Sequence, residues 1–223
     1  METGEGKEME QIGERTFLYG GADERTVLLL PVDRRETGEG EAYFEMLRER
    51  TKTPFSLALY RIDDWDRELS PWPAPPVYGK EDFAGEAEQT LKTLIRETEA
   101  LLTDKTVLIG GYSLAGFFAL WSAYRTELFA GAAAVSPSVW YPGWTDYITA
   151  NRAKAKAVYL SLGEKEERAK NPVLSTVGAC IRLQYERLKR DGVLTALEWN
   201  PGGHFQDPLA RTVRGFIWLL EKI

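Results

Sequence analysis

Apolar residues along this chain fall into two rhythms. TVLLLPV (26–32) is a continuous β-rich apolar run, the mark of a strand buried on both faces, and FSLALYRI (55–62) is another buried strand; TVLIGG (106–111) and AVYLSLG (157–163) read as strands, and GAAAVSPS (131–138) as a strand with a turn. RTFLYGG (15–21) reads as a short strand ending in a turn, and TALEWNPGG (195–203) as a strand ending in glycines. Between the strands the apolar spacing is helical. EAYFEMLRER (41–50) places Tyr43, Phe44 and Leu47 on one face. The stretch 80–103 does the same with Phe83, Ala87, Leu91, Leu94, Ile95 and Leu101. A further helix follows TVLIGG to about Tyr124. Asn171-Pro172 and Asp207-Pro208 each pair a capping side chain with a proline suited to the first helical position. The first of these opens a helix carrying Val173, Val177, Ile181, Leu183 and Leu188; the second opens the last helix. Cys180, mid-helix among apolar residues, reads as a buried structural side chain. The polar, Gly/Glu-rich stretch 1–14 is expected to be disordered, and 15–223 to form a single domain. This strand–helix alternation predicts an α/β fold, a mostly parallel twisted sheet with helices on both faces. In such sheets chemistry sits at the carboxyl ends of the strands.

One of those ends is unusual. VLIGGYSLAGFFAL (107–120) places Gly110, Gly111, Ala115 and Gly116 around Ser113, between an apolar strand and an apolar helix. Small residues two before and two after a serine are what a nucleophile elbow requires, because the sharp turn holds its serine in strained dihedrals that leave no room for side chains. The turn lifts the hydroxyl clear of the sheet and places it at a helix N-terminus, which favours developing negative charge.

A serine hydroxyl needs a base. The sequence holds one histidine, His204, in PGGHF just past the final strand. A carboxylate should come from a strand end between the two, to fix the imidazole tautomer and stabilise its cation. AVYLSLG ends at Gly163, and Glu164 follows at once, so Glu164 is the expected acid; Glu166 and Glu167 lie within reach of the same role. Two N–H donors would hold an oxyanion: the amide of Leu114, next after the serine, and one from the loop after TVLLLPV, where Asp33 is expected between Val32 and Arg34. Two aromatic loops leave strand ends and are expected to wall a pocket. DDWDRELSPWPAPPVYG (63–79) supplies Trp65 and Trp72; SPSVWYPGW (136–144) supplies Trp140, Tyr141 and Trp144.

Composition narrows the remainder. The 223 residues are 43% hydrophobic and 28% charged, ordinary for a globular domain. A net charge of −6 disfavours nucleic acid or anionic membrane as partner. No apolar run approaches the roughly 20 residues that span a bilayer, and the charged start does not read as a secretory signal. A single cysteine makes no internal disulfide. No His/Cys cluster suggests a metal, and no glycine-rich dinucleotide fingerprint follows a strand, so no cofactor is expected. A cytoplasmic protein acting on a small-molecule ester fits these bounds; oligomeric state is not legible.

GGYSLAGFFALW around Ser113, SPSVWYPG after the next strand, YLSLGEKEE around Glu164 and PGGHF around His204 together resemble the α/β-hydrolases, specifically the esterases grouped with esterase D and the enterochelin (siderophore) esterases. The resemblance spans roughly 106–206. It implies an α/β-hydrolase fold and a serine carboxylic-ester hydrolase with Ser113 as nucleophile and His204 as base. It implies Asp or Glu at the position of Glu164, and leaves the acid open because the group includes siderophore esterases described as Ser–His dyads. The larger enterochelin esterases carry an N-terminal domain with no counterpart here, so their substrate is not carried over. The same residues would also serve acyl transfer, thioester cleavage or peptide hydrolysis, and a hydrolase scaffold also serves non-catalytic binding.

Overall fold

The computed structural model describes residues 9–223. Its main sheet has eight strands: β1 (Glu10–Gln11), β2 (Thr16–Tyr19), β3 (Thr26–Asp33), β4 (Ser56–Ile62), β7 (Thr106–Tyr112), β8 (Phe129–Val135), β9 (Ala157–Gly163) and β10 (Leu194–Asn200). Their order is β1-β2-β4-β3-β7-β8-β9-β10. A small antiparallel pair, β5 (Pro73–Ala74) and β6 (Phe83–Ala84), lies apart from it. β2 runs antiparallel to β1 and β4; every other pairing is parallel, with Leu28 beside Leu57 and Gly111 beside Ala134. Of the expected disordered stretch 1–14, residues 1–8 lie outside the described residues, and Glu10–Gln11 pair with β2.

The continuous apolar runs are buried on both faces because helices cover both. Along β3 the pleat sends Val27 and Leu29 to one layer and Leu28, Leu30 and Val32 to the other. The first layer holds α3 (Ala87–Leu102), α4 (Ser113–Arg125), α5 (Trp144–Ala150) and α6 (Val177–Arg190). The second holds α1 (Gly40–Arg50) and α7 (Pro208–Lys222), through Tyr43, Phe44, Leu47, Val213, Phe216 and Leu219. At roughly 1.5–3 kcal/mol for each fully buried Val or Leu side chain, these layers hold the strand ends in place.

Several elements differ from the pattern's expectation. The helix expected from residue 80 begins at Ala87, because Phe83–Ala84 turn into the β5–β6 pair and Gly85 takes φ +81°. The Pro-rich loop contains one helical turn, α2 (Trp65–Glu68), capped by the Asp64 carboxylate, which accepts from the Arg67 N–H at 3.2 Å. Asn171 caps as expected, accepting from the Val173 and Leu174 N–H groups at 2.9 and 3.3 Å, but the turn it starts is 3₁₀, and α6 begins only at Val177. Val173 and Leu183, expected on the buried face, are exposed, and Cys180 is only partly buried. Pro208 opens α7 as expected, but Asp207 sits at φ +52° and its side chain makes no cap bond. Among the described residues no helix is long and apolar enough to cross a membrane.

Candidate active site

β7 ends at Tyr112, and Ser113 opens α4 with φ +58°, a backbone conformation L side chains rarely adopt. The glycine spacing explains how the chain tolerates it. A Cβ at Gly111 would lie 2.6 Å from the Ala115 carbonyl carbon, and one at Gly116 would lie 2.7 Å from the Gly111 oxygen. Strand and helix approach too closely at this corner for any larger residue. Burying these two stretches on both sides fixes the corner, and the corner presents the Ser113 hydroxyl.

His204 reaches that hydroxyl from the loop after β10. Its Nε2 lies 3.0 Å from Ser113 Oγ, and its Nδ1 lies 2.7 Å from Glu166 Oε2. The carboxylate beside the imidazole is therefore Glu166, not Glu164. β9 ends at Gly163, and the Glu164 side chain points to solvent, its N–H donating to the Asn200 carbonyl at 2.9 Å. A 3₁₀ turn over Glu166–Arg168 then folds the chain back, so that Glu166 Oε1 accepts the Gly163 N–H at 2.7 Å. Glu167 pairs instead with Arg182 at 2.8 Å. The two oxygens of Glu166 divide their work. Oε2 meets the imidazole, while Oε1 accepts from Ser136 Oγ at 2.7 Å and from Gly163. Burial alone would raise the Glu166 pKa; the bonds and charge of His204, with those from Ser136 and Gly163, outweigh it and hold the carboxyl below its usual range.

Leu114 is buried in the first turn of α4, where N–H groups have no intrahelical acceptor, so its amide is free for an oxyanion. Asp33 is not. Its N–H donates to Glu36 Oε2 at 3.3 Å, and its carboxylate accepts from the Arg35 and Glu36 amides at 2.5 and 2.9 Å. An Asx-type turn closes this loop on itself, and the Glu36 carboxylate it brings back engages the amide expected to serve as second donor.

A cavity of about 580 Å³ opens beside Ser113 and His204. Its walls include Trp65, Tyr78, Trp140, Leu174, Val177 and Phe205, with Lys165 also on its lining. Of the expected wall residues, Trp65 and Trp140 line it; Trp72, Tyr141 and Trp144 do not. Tyr141 is buried, stacked on Phe117, and its hydroxyl donates to the Trp72 carbonyl at 2.6 Å. Trp72 Nε1 donates to the Pro142 carbonyl at 2.8 Å. These two rings pin the two aromatic loops to each other rather than facing a ligand. Tyr78, from the same Pro-rich loop, lines the cavity with its hydroxyl donating to Asp66 at 2.5 Å. Burial, with the Asp66 carboxylate second, pushes its pKa up. Phe205, 93% exposed, packs edge-on against the His204 ring. Neither Tyr78 nor Phe205 stands out by sequence pattern as a wall residue, although Phe205 adjoins His204. Ser136 was visible in SPSVW, but its φ of +43° and its bond to the acid were not. Among the described residues no group of three or more His, Cys, Asp or Glu side chains could hold a metal ion.

No family model and no curated sequence matches the chain. Solved structures do. The siderophore hydrolase EstA from Aspergillus nidulans superposes with a TM-score of 0.71 at 18% identity, over 100% of this chain and 97% of that one. An IroE-like serine hydrolase from Shewanella oneidensis gives 0.71 at 14% identity, over 92% of this chain and 75% of that one. The enterobactin esterase FES from Shigella flexneri, solved in the presence of enterobactin, gives 0.64 at 18% identity, over 96% of this chain and 58% of that one. At these identities the likeness establishes architecture: the chain has the α/β-hydrolase fold that its strand and helix pattern and its motifs led us to expect.

Proposed function

We propose that the protein is a serine hydrolase of small-molecule carboxylic esters, working through an acyl-enzyme with Ser113, His204 and Glu166. The observation that carries this reading is the unbroken line Glu166 Oε2–His204 Nδ1, His204 Nε2–Ser113 Oγ, at 2.7 and 3.0 Å, opening on a cavity. With Glu166 ionised, Nδ1 carries the proton and donates it to the carboxylate, which leaves Nε2 to accept from the serine hydroxyl. Ser113 Oγ attacks the ester carbonyl as its proton passes to Nε2. The Leu114 amide, at the N-terminal end of α4, binds the oxyanion. The imidazolium, stabilised by Glu166, returns the proton to the departing alkoxide. Water then enters and attacks the acyl carbonyl as its proton passes to Nε2; the acyl C–O bond breaks, the imidazolium gives that proton to Ser113 Oγ, and the free acid leaves.

The cavity supports a small substrate: about 580 Å³ is within the usual range for small-molecule sites, roughly 300–1,000 Å³. Its aromatic and aliphatic walls suit an ester with an apolar acyl or alcohol part. The esterases among the structural neighbours point the same way. Hydrolysis of p-nitrophenyl butyrate by wild type and Ser113→Ala tests the reading. Loss of about 10⁴-fold or more in kcat is expected; equal rates in the two folded proteins would defeat it.

A further inference from the structure

Beneath Glu166 and His204, α7 sends a cation into the protein. The Arg211 side chain is 3% exposed. A charge so buried must be matched by polar partners, and those of Arg211 come from three separate strand ends. Nη2 donates to the Pro201 carbonyl, in the His204 loop after β10, at 2.7 Å. Nη1 donates to the Tyr112 hydroxyl, at the end of β7, at 3.2 Å, and lies 3.7 Å from Glu166 Oε1, after β9. The Tyr112 hydroxyl in turn donates to the carbonyl of His204 itself. One guanidinium thus joins the residue before Ser113, the turn bearing Glu166 and the loop bearing His204.

The crowding around this fork leaves little slack. A Cβ at Gly163 would lie 2.7 Å from the Gly202 oxygen, 2.9 Å from Glu166 Oε1 and 3.2 Å from Arg211 Nη1. The loop that the fork holds lies outside helix and strand and contains two glycines, so few contacts of its own fix the imidazole. Neither Arg211 nor Tyr112 lines the cavity. We propose that Arg211 and Tyr112 are a positioning pair: they hold the His204 loop in register with Ser113 and Glu166, and act on the reaction only through the imidazole. The planar fork suits this task, because its donors diverge in fixed directions that a lysine ammonium does not reproduce.

The inference rests on the ester-hydrolase reading, and the test separates the two. Arg211→Lys and Tyr112→Phe are each made in the wild-type and the His204→Ala backgrounds, with kcat and KM measured on p-nitrophenyl butyrate. Arg211→Lys is expected to lower kcat about 10²-fold, the cost of misplacing a reacting group by about 1 Å, with KM within about twofold. Tyr112→Phe should lower kcat about tenfold in the same way. In His204→Ala, where nothing is left to position, both effects should shrink below about threefold. A general structural defect would persist there. Effects undiminished in His204→Ala, or wild-type kcat in both variants, would overturn the inference. Should circular dichroism show Arg211→Lys unfolded, the isosteric Tyr112→Phe decides alone by the same two outcomes. An active Ser113→Ala would sink the hydrolase reading itself. An inactive Ser113→Ala, with losses that ignore His204, would sink only this inference.

Discussion

Two regions meet at the candidate site and are built on different terms. The rim carrying Ser113, Glu166 and His204 stands on the ends of β7, β9 and β10, and its polar groups are tied to one another: the Glu166 side chain is 6% exposed and has a partner for each oxygen. The cavity wall comes mainly from the connections between strands: the Pro-rich stretch 63–79, the segment after β8 that carries Trp140, the segment after β9 up to the start of α6, and the residue next to His204. Among its aromatic side chains Tyr78 packs edge-on against Trp140, and Phe205 is 93% exposed. The contrast separates two jobs. Under the proposed function, rim geometry would set which bond breaks and the wall which molecule is held. Changes at the rim should therefore reduce kcat, and changes at the wall should move KM.

The largest effect is expected from His204→Ala, with kcat for p-nitrophenyl butyrate down about 10⁴-fold or more, because base and nucleophile act as a unit. Glu166→Gln should cost about 10²- to 10⁴-fold by steady-state kinetics, while the solvent-facing Glu164→Gln stays within about twofold. The reverse ranking would return the acid's role to Glu164. Ser136→Gly isolates the hydroxyl that holds Glu166, since glycine accepts φ +43° without strain; a kcat loss of about tenfold with KM little changed is the expected outcome. At the wall, Phe205→Ala should raise KM for butyrate or aryl esters about threefold or more while sparing kcat and the acetate ester. A fall in kcat with KM constant would move Phe205 to the rim side of the comparison.

The smallest effect is on stability against acid. The Glu166 pKa is depressed on folding, so its contribution is present above the unfolded carboxylate value, about 4.3, and is lost as pH falls through the lower folded value. The gap in Tm between wild type and Glu166→Gln should accordingly narrow below about pH 4. A gap that widens there would contradict the sign of the shift.

How much of this could be read from residues alone follows the same division. The central strands were legible because burial on both faces demands unbroken apolar runs, and Ser113 was legible because the elbow demands small neighbours. His204 stood out as the only imidazole, at a strand's end. The acid was not legible to the residue. Apolar patterning marks where β9 ends, but a 3₁₀ turn past Gly163 decides which of three nearby glutamates turns back. Trp72 and Tyr141 show a second limit. An aromatic-rich loop announces packing, yet whether a ring faces a ligand or another loop depends on contacts 69 and 70 residues apart in the chain. Asp33 shows a third, since its amide is engaged by a carboxylate only three residues on. Arg211 gave no signal, being one of three basic residues in a helix marked in the sequence only by its Asp207-Pro208 start.

The central claim is that His204, backed by Glu166, makes Ser113 a nucleophile. A fluorophosphonate probe, followed by mass spectrometry of the digested protein, tests it most directly. The account predicts a phosphonyl adduct on the peptide carrying Ser113, formed at least about 10²-fold more slowly in folded His204→Ala. Folded wild-type protein that takes no label at Ser113, or takes it equally fast without the imidazole, would contradict it.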